Sequence, residues 1–478
     1  MIGVVLKNLL PYSPEDIKLA DFIEIRLDKL DALELAIKSC EYVQVLKYLK
    51  TLYAIPCLLT IPLTEEITAD KKKYAVNFFL PYKLFDWVDQ DIQETHIELS
   101  CAQRVYSWHG PFEDLYSVIR QPRKSKFFLY KFAVSISSAS QGMKLLYALY
   151  LYKNESFCIV PWGEGFFFAR IMSYILGRSW TYSNISLDQQ VVFGQPSLKD
   201  WCEIYNGKSL NKDTKIFALI GDPIDKSQSH VTHNRVFKYL SLSAVYIKIP
   251  LQMKELKVFF QYWRRIPNCM GLSVTMPLKE KIASYLDGEL TYPKAFNTVV
   301  KTATGKLEGF NTDGIGVVRL LKKRSPLLGG KKVVILGAGG TALAIIQALL
   351  EEYVDITVIN RSLKRMDIIE ANFAVKYYPL TSLSAILKNP YDILIQTTPV
   401  GFHNAQDCLL SNKDLIHTNS IIFECVYGET QLIKWAKEKN CCTFLGKDLF
   451  IQQAVLQFSH WFPDICIKTV EDIIKSYV

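Results

Sequence analysis

Short apolar runs recur through the first 205 residues, at 2–6, 22–26, 55–61, 84–88, 104–108, 127–134, 157–160 and 180–184. Each is of strand length. Between them, segments such as Ala32 to Leu49 and Gly142 to Tyr152 carry apolar side chains at helical spacing, so the chain alternates strand and helix. Strands joined by helical crossovers lie parallel, and eight such units predict a (β/α)8 barrel. Residues 206–214 are polar and turn-rich and predict a linker. A second α/β alternation opens with a strand at Lys215 to Gly221. At Lys332 a further hydrophobic strand runs into Gly337-Ala338-Gly339-Gly340 and then a helix rich in Ala, Leu and Ile, the pattern of a nucleotide-binding half.

Composition narrows the function classes. With 49% hydrophobic and 22% charged residues in 478, the chain can bury a core in each of two or three domains. The formal charge of +9 comes from scattered basic residues, the longest run being Lys71-Lys72-Lys73, so small anionic ligands are expected and nucleic acid is not. Eleven cysteines at irregular spacing suggest neither a disulfide framework nor a zinc site, and a reducing cytoplasm is the expected compartment. No apolar segment approaches the roughly 20 residues of a membrane span, and the amino terminus reads as a strand, so a soluble protein with no targeting peptide and no membrane partner is expected.

In a barrel of this kind reactive groups belong at the carboxyl ends of the strands. The second strand ends in Glu24-Ile25-Arg26-Leu27-Asp28, where alternation points Glu24, Arg26 and Asp28 to one face. Glu66 follows the third strand, His109 ends the fifth, Lys131 lies on the sixth, and Arg170 and Gln195 follow the seventh and eighth. Lys131 sits in the apolar text Phe-Phe-Leu-Tyr-Lys-Phe-Ala-Val, where desolvation favours the neutral amine that attacks a carbonyl. An iminium acidifies the neighbouring C–H, and His109 suits proton removal and return, with Glu66 expected to orient its imidazole.

Residues 1 to about 205 resemble the type I 3-dehydroquinate dehydratases, in which an E-x-R-x-D strand, a catalytic His, a Schiff-base Lys and a later Arg recur in this order. The resemblance implies that Lys131 forms the imine with 3-dehydroquinate, that His109 is the general acid and base, that Arg170 binds the carboxylate, and that Glu24, Arg26 and Gln195 hold hydroxyls. Pro62, Val191, Phe166 and Ala169 depart from that family's pattern.

In the second half, Ser227 and Ser229 stand before a helix whose amino terminus can hold an anion. Three further segments follow: Gly271-Leu272-Ser273-Val274-Thr275-Met276-Pro277-Leu278-Lys279, Ala295-Phe296-Asn297-Thr298 and Gly309-Phe310-Asn311-Thr312-Asp313-Gly314. They are similar to the shikimate dehydrogenase motifs G-x-N/S-V-T-x-P-x-K, A-x-N-T and G-x-N-T-D. The resemblance implies that Lys279 and Asp313 move the proton at the reacting hydroxyl, and that Ser227, Ser229, Thr275, Asn297 and Gln453 bind shikimate. His230 departs from the usual Pro.

Gly337, Ala338, Gly339 and Gly340 fit a dinucleotide turn. About 20 residues on, where an NAD site would place an acid, the strand ends in Asn360-Arg361-Ser362 with Arg365 nearby, which favours NADP because a guanidinium matches a 2′-phosphate. Gln396 to Gly401, with Thr398, resembles the loop beside the nicotinamide. Gly446 to Trp461 resembles the segment that returns to the substrate domain.

The combined expectation is an α/β chain with a TIM barrel over 1–208. A shikimate dehydrogenase would follow, its substrate subdomain at 214–315 completed by 447–478 and its Rossmann-type NADP subdomain at 316–446. The implied activity is Schiff-base dehydration followed by NADPH-dependent reduction to shikimate, with a homodimer as a possible assembly. Two alternatives stand beside it: a non-catalytic sensor of quinate or shikimate, and a quinate dehydrogenase using NAD.

Overall fold

A computed structural model of the chain describes residues 1–7, 17–27, 40–63, 67–92, 103–120, 129–151, 157–177, 180–185, 195–288 and 294–477. By contacts the chain divides into two compact units, residues 1–219 with 223–269, and residues 220–222 with 270–478.

The first unit holds eight strands: β1 (Ile2–Lys7), β2 (Phe22–Arg26), β3 (Cys57–Thr60), β4 (Trp87–Asp91), β5 (Gln103–Pro111), β6 (Leu129–Ser135), β7 (Phe157–Trp162) and β8 (Thr181–Ser183). They form one sheet in the order β7-β6-β5-β4-β3-β2-β1-β8, and every pairing in it is parallel. The eight expected strands are all present. The fourth begins three residues later than the apolar run suggests, because Leu84 is buried ahead of β4 rather than within it. Helices α1 (Cys40–Tyr53), α2 (Ala69–Phe79), α3 (Leu115–Ile119), α4 (Ala139–Leu151) and α5 (Phe167–Gly177) follow β2, β3, β5, β6 and β7 as crossovers among the described residues. In α4, Ala139, Met143, Leu146 and Leu149 are buried at helical spacing, which is what docks it on the strands. After α6 (Leu198–Glu203), the expected linker opens with a 3-10 turn at Gly207–Ser209.

Strand β9 (Lys215–Gly221), α7 (Ser229–Tyr239), β10 (Ala244–Pro250) and α8 (Leu256–Arg265) come next. Within the first unit α8 packs on α4: Arg265 lies over the Tyr147 ring at 5.7 Å, and the rings of Tyr147 and Tyr262 are 5.2 Å apart. Glu255 accepts a 2.9 Å hydrogen bond from the Ser140 backbone, at the start of α4. Strands β11 (Cys269–Val274), β12 (Thr298–Lys301) and β13 (Leu307–Phe310) pair antiparallel in that order.

In the second unit α9 (Asp313–Lys322) leads to six parallel strands: β14 (Lys332–Leu336), β15 (Asp355–Asn360), β16 (Lys376–Pro379), β17 (Ile393–Gln396), β18 (Ile421–Glu424) and β19 (Cys442–Phe444). Their order is β16-β15-β14-β17-β18-β19, the doubly wound order of a dinucleotide-binding sheet, with the order of succession reversing between β14 and β17 while all strands stay parallel. Because successive side chains point to opposite faces, Val333 and Ile335 join one core with α9 and α10 (Gly340–Leu350), while Val334 and Leu336 join the other. Helices cover both faces, so β14 reads as an unbroken apolar run rather than an alternating one. Where α9 crosses α10 a Cβ on Gly314 would meet the Ala344 carbonyl oxygen at 2.2 Å, so only glycine permits that approach. Helices α11 (Leu363–Asn372), α12 (Gln431–Glu438) and α13 (Gly446–Trp461) complete the packing, with α13 against α9 through Leu449 and Gly316. Among the described residues no helix is long and apolar enough to cross a membrane.

Candidate active sites

In the first unit strand alternation concentrates polar groups on one face. Glu24 and Arg26 alternate on β2, Asp89 and Asp91 on β4, Ser107 and His109 on β5. The deeper members of the first two pairs meet Lys131. Its ammonium lies 3.2 Å from Glu24 Oε1 and 3.4 Å from Asp89 Oδ2, and 4.6 Å from the centroid of the Tyr182 ring on β8. Both carboxylates are held in turn: Thr60 on β3 donates to Glu24 at 2.7 Å, and Ser107 donates to Asp89 at 2.6 Å. All these side chains are buried.

Burial alone predicts a neutral amine at Lys131, and the structure corrects that expectation. Burial does pull the amine pKa down, but Glu24 and Asp89 outweigh it and the net direction is upward. The resting group is an ammonium. Glu24, expected at a substrate hydroxyl, is accordingly committed to Lys131 and Thr60.

One step outward along β5, His109 is half-exposed, with Nδ1 3.7 Å from Asp91 Oδ2. Register sets it beside Ala133, two residues beyond Lys131. Glu66, the residue expected to orient this imidazole, lies outside the described residues, as does Asp28. Arg170 on α5 is buried: it donates to the Tyr182 carbonyl at 3.0 Å, and its Nε has no protein partner. Desolvation lowers its pKa to about 10, which leaves it a cation at neutral pH. Gln195 is buried, its carbonyl accepting from Asn184 at 3.3 Å. Ser227 and Ser229 also belong to this unit, with hydroxyls 2.9 Å apart where α7 begins. The next residue, His230, is held neutral, since burial and then Lys248 pull its pKa down to about 4.

The second unit brings together residues far apart in sequence. Lys279 and Asp313 form an ion pair, with Asp313 as the buried first residue of α9, where the helix dipole favours a carboxylate. Asn297 Nδ2 donates to Asp313 Oδ1 at 2.7 Å and to the Thr312 hydroxyl at 2.9 Å. Gln453 on α13 places Oε1 3.2 Å from the same amide nitrogen, and Asn297 Oδ1 accepts the Thr312 backbone N–H at 2.9 Å. Thr275 fixes the lysine loop, its carbonyl accepting from Leu278 and its N–H donating to Ile220. Thr341, the second residue of α10, lies 3.0 Å from Lys279 Nζ and 3.3 Å from Asp313 Oδ2.

The glycine turn follows β14 at the reversal point of the sheet. Gly337 has φ +111, and a Cβ there would meet the Thr397 hydroxyl at 2.5 Å. Gly339 has open space around it and Ala338 is buried. With the free N–H groups of the α10 start, this is a cradle that suits a pyrophosphate. Beyond β17, Gln396 folds the next loop by accepting from Thr398 N–H at 2.6 Å and donating to the Val400 carbonyl at 3.0 Å. At the end of β15, Asn360 donates to the Ser362 carbonyl at 3.2 Å, and Arg361 is exposed. Arg365, expected at the nucleotide, instead makes a bidentate pair with Glu280 at 2.6 and 2.8 Å.

Two family models match the chain, one described as the shikimate dehydrogenase substrate binding domain over residues 219–299, the other as shikimate / quinate 5-dehydrogenase over residues 319–415. The shikimate biosynthesis protein AroDE of Chlamydia pneumoniae is 30% identical over 97% of this chain and 94% of its own. The chain belongs to the AroDE family. Among other members and relatives, the chloroplastic bifunctional 3-dehydroquinate dehydratase/shikimate dehydrogenase of Arabidopsis thaliana is 29% identical over 62% of this chain and 52% of its own. In Aquifex aeolicus a shikimate dehydrogenase (NADP(+)) is 32% identical over 53% of this chain and 93% of its own. A crystal structure of shikimate dehydrogenase from that organism covers 55% of this chain and 98% of its own, at 29% identity and a TM-score of 0.50.

Against that family frame, motif reading missed Asp89, Asp91, Ser107 and Tyr182 in the first unit and Thr341 in the second. The first three were within reach, because Asp89-Gln90-Asp91 and Ser107-Trp108-His109 repeat the period-two spacing of Glu24 and Arg26. Thr341 gave no such signal, since only the fold brings α10 to Lys279.

Proposed function

We propose that this AroDE-family chain performs two successive steps of shikimate biosynthesis in the cytoplasm: dehydration of 3-dehydroquinate in the first half, then NADPH-dependent reduction of 3-dehydroshikimate to shikimate in the second. The observation that carries the reading is that each half holds one lysine clamped by carboxylates, Lys131 by Glu24 and Asp89, and Lys279 by Asp313.

The first eight strands are read as a closed (β/α)8 barrel over residues 1–208. In support, β8 already pairs with β1, and Cys158 on β7 donates to the carbonyl of Trp180, the residue before β8. Dehydration then begins with a proton shift. Because Lys131 rests as an ammonium, its proton must pass to Glu24 or Asp89 before the free amine adds to the ketone, and return of that proton to the carbinolamine hydroxyl lets water leave to give the iminium. His109, oriented by Asp91, takes the acidified C–H proton and returns it to the departing hydroxyl, and hydrolysis restores Lys131. Arg170, with its unpartnered buried Nε, takes the substrate carboxylate, and Arg26 and Gln195 take hydroxyls.

Reduction is assigned to residues 214–315 with 447–478 for substrate and 316–446 for NADP. When bound, NADPH supplies the hydride. Lys279 gives its proton to the carbonyl oxygen, Asp313 holds the ammonium, Asn297 fixes Asp313 and is itself met by Gln453, and Asn297 and Gln453 face the substrate with Thr275. Ser227 and Ser229 take the substrate carboxylate. Gly337, Ala338, Gly339, Gly340 and Thr398 surround the cofactor, and Arg361, with Asn360 and Ser362, meets the 2′-phosphate.

A coupled assay from 3-dehydroquinate and NADPH tests this. Lys131→Ala should abolish NADPH oxidation from 3-dehydroquinate but not from 3-dehydroshikimate, and Lys279→Ala should abolish both. Oxidation that survives Lys279→Ala contradicts the assignment.

A further inference from the structure

Resting on the dehydrogenase reading above, we propose that Thr341 is a positioning residue of the reduction, its hydroxyl fixing which proton of Lys279 faces the substrate and joining the proton-transfer pair to the nucleotide turn. A hydroxyl has one proton and two lone pairs. At 3.0 Å from an ammonium and 3.3 Å from a carboxylate, it accepts from Lys279 and donates to Asp313, closing a three-membered set. An ammonium has three N–H groups. Asp313 takes one and Thr341 the second, so one remains for the oxygen of the reacting carbonyl.

Local geometry holds this arrangement. Thr341 follows directly on the Gly337 to Gly340 turn, and a Cβ at Gly340 would stand 3.3 Å from the Lys279 Cβ, so glycine lets the start of α10 lie against the lysine stem. Threonine is restricted at χ1, which keeps its hydroxyl aimed. Its backbone N–H is among the four at the helix start that no intrahelical carbonyl satisfies. One residue thus carries a main-chain donor at the phosphate end of the cofactor site and a side-chain hydroxyl on the acid-base pair. A shift of the helix start is transmitted to Lys279 without an intermediary.

The test uses the full chain with Thr341→Val, which keeps shape and removes the hydroxyl, and Thr341→Ser, which restores it. Steady-state reduction of 3-dehydroshikimate is measured across pH, with NADPH affinity by fluorescence titration. Thr341→Val should lower kcat about tenfold, leave KM for 3-dehydroshikimate and the NADPH Kd within about twofold, and alter the pH profile of kcat, because the acid-base pair has lost the hydroxyl that holds it. Thr341→Ser should return kcat to within about twofold. If the valine variant melts out, Thr341→Ala carries the same expectations. The proposal is overturned if kcat and its pH profile are unchanged, or if the loss is instead in NADPH affinity and serine does not rescue it. If Lys279→Ala leaves reduction intact, the dehydrogenase site itself is misassigned, a result distinct from a silent Thr341.

Discussion

Asp89→Asn isolates the electrostatics of Lys131 with almost no change of volume. The wild-type carboxylate lies 3.4 Å from Nζ in a buried cluster. With an effective dielectric constant near 20, that separation corresponds to about 5 kcal/mol of attraction. The asparagine carbonyl recovers part of it as a hydrogen bond, and Glu24 at 3.2 Å still neutralises the ammonium, so a net loss of about 3 kcal/mol is expected, the low end for breaking a buried pair. In the folded wild type the Lys131 pKa is raised by its two carboxylates. Its stabilisation is present at pH below the unfolded lysine value and is lost as pH rises through the folded one. The variant should lose that contribution already at neutral pH. Urea unfolding at pH 7 reads the stability, and the pH dependence of borohydride trapping with 3-dehydroquinate reads the amine. The rising limb of trapping should move toward acid, because one of the two carboxylates that raise the lysine pKa has been neutralised. A variant of unchanged stability and unchanged trapping profile refutes the argument that Asp89 holds Lys131 as a cation.

Two further outcomes follow from other parts of the chain. Arg361→Ala should raise KM for NADPH by ten- to a hundredfold, the worth of charge-assisted bonds to a phosphate, with NADH kinetics nearly unchanged; equal effects on both cofactors would remove Arg361 from the 2′-phosphate. Glu424 is buried at the end of β18, and desolvation raises its pKa to about 7, although Val426 N–H and Thr430 donate to it. A raised carboxyl contributes stability below its unfolded value near 4.5 that disappears as pH climbs through about 7, on the order of 3 kcal/mol. Glu424→Gln should therefore gain stability relative to wild type between pH 5 and 8 in thermal melts, and a pH-independent difference would show that Glu424 does not titrate there.

The architecture was legible where burial is periodic. Apolar runs located β1 to β8, and the run from Val333 to Leu336 followed by Gly337 to Gly340 located the doubly wound sheet, because both signals are local. Motif spacing likewise placed Lys279, Asn297 and Asp313, which the structure brings into hydrogen-bonding contact. What sequence could not give was pairing across elements. The charge of Lys131 depends on Asp89 and Glu24, which reach it from two other strands, and Arg365 pairs with Glu280, 85 positions earlier. Burial seen along one strand therefore suggested a neutral amine, while burial within the cluster makes an ion pair.

Borohydride reduction of the full chain in the presence of 3-dehydroquinate, followed by peptide mapping by mass spectrometry, tests the account most directly. It predicts one covalent adduct, on Lys131, with Lys279 unmodified and dehydration lost in proportion to labelling. Full dehydration with no adduct, or an adduct on another lysine, would contradict it.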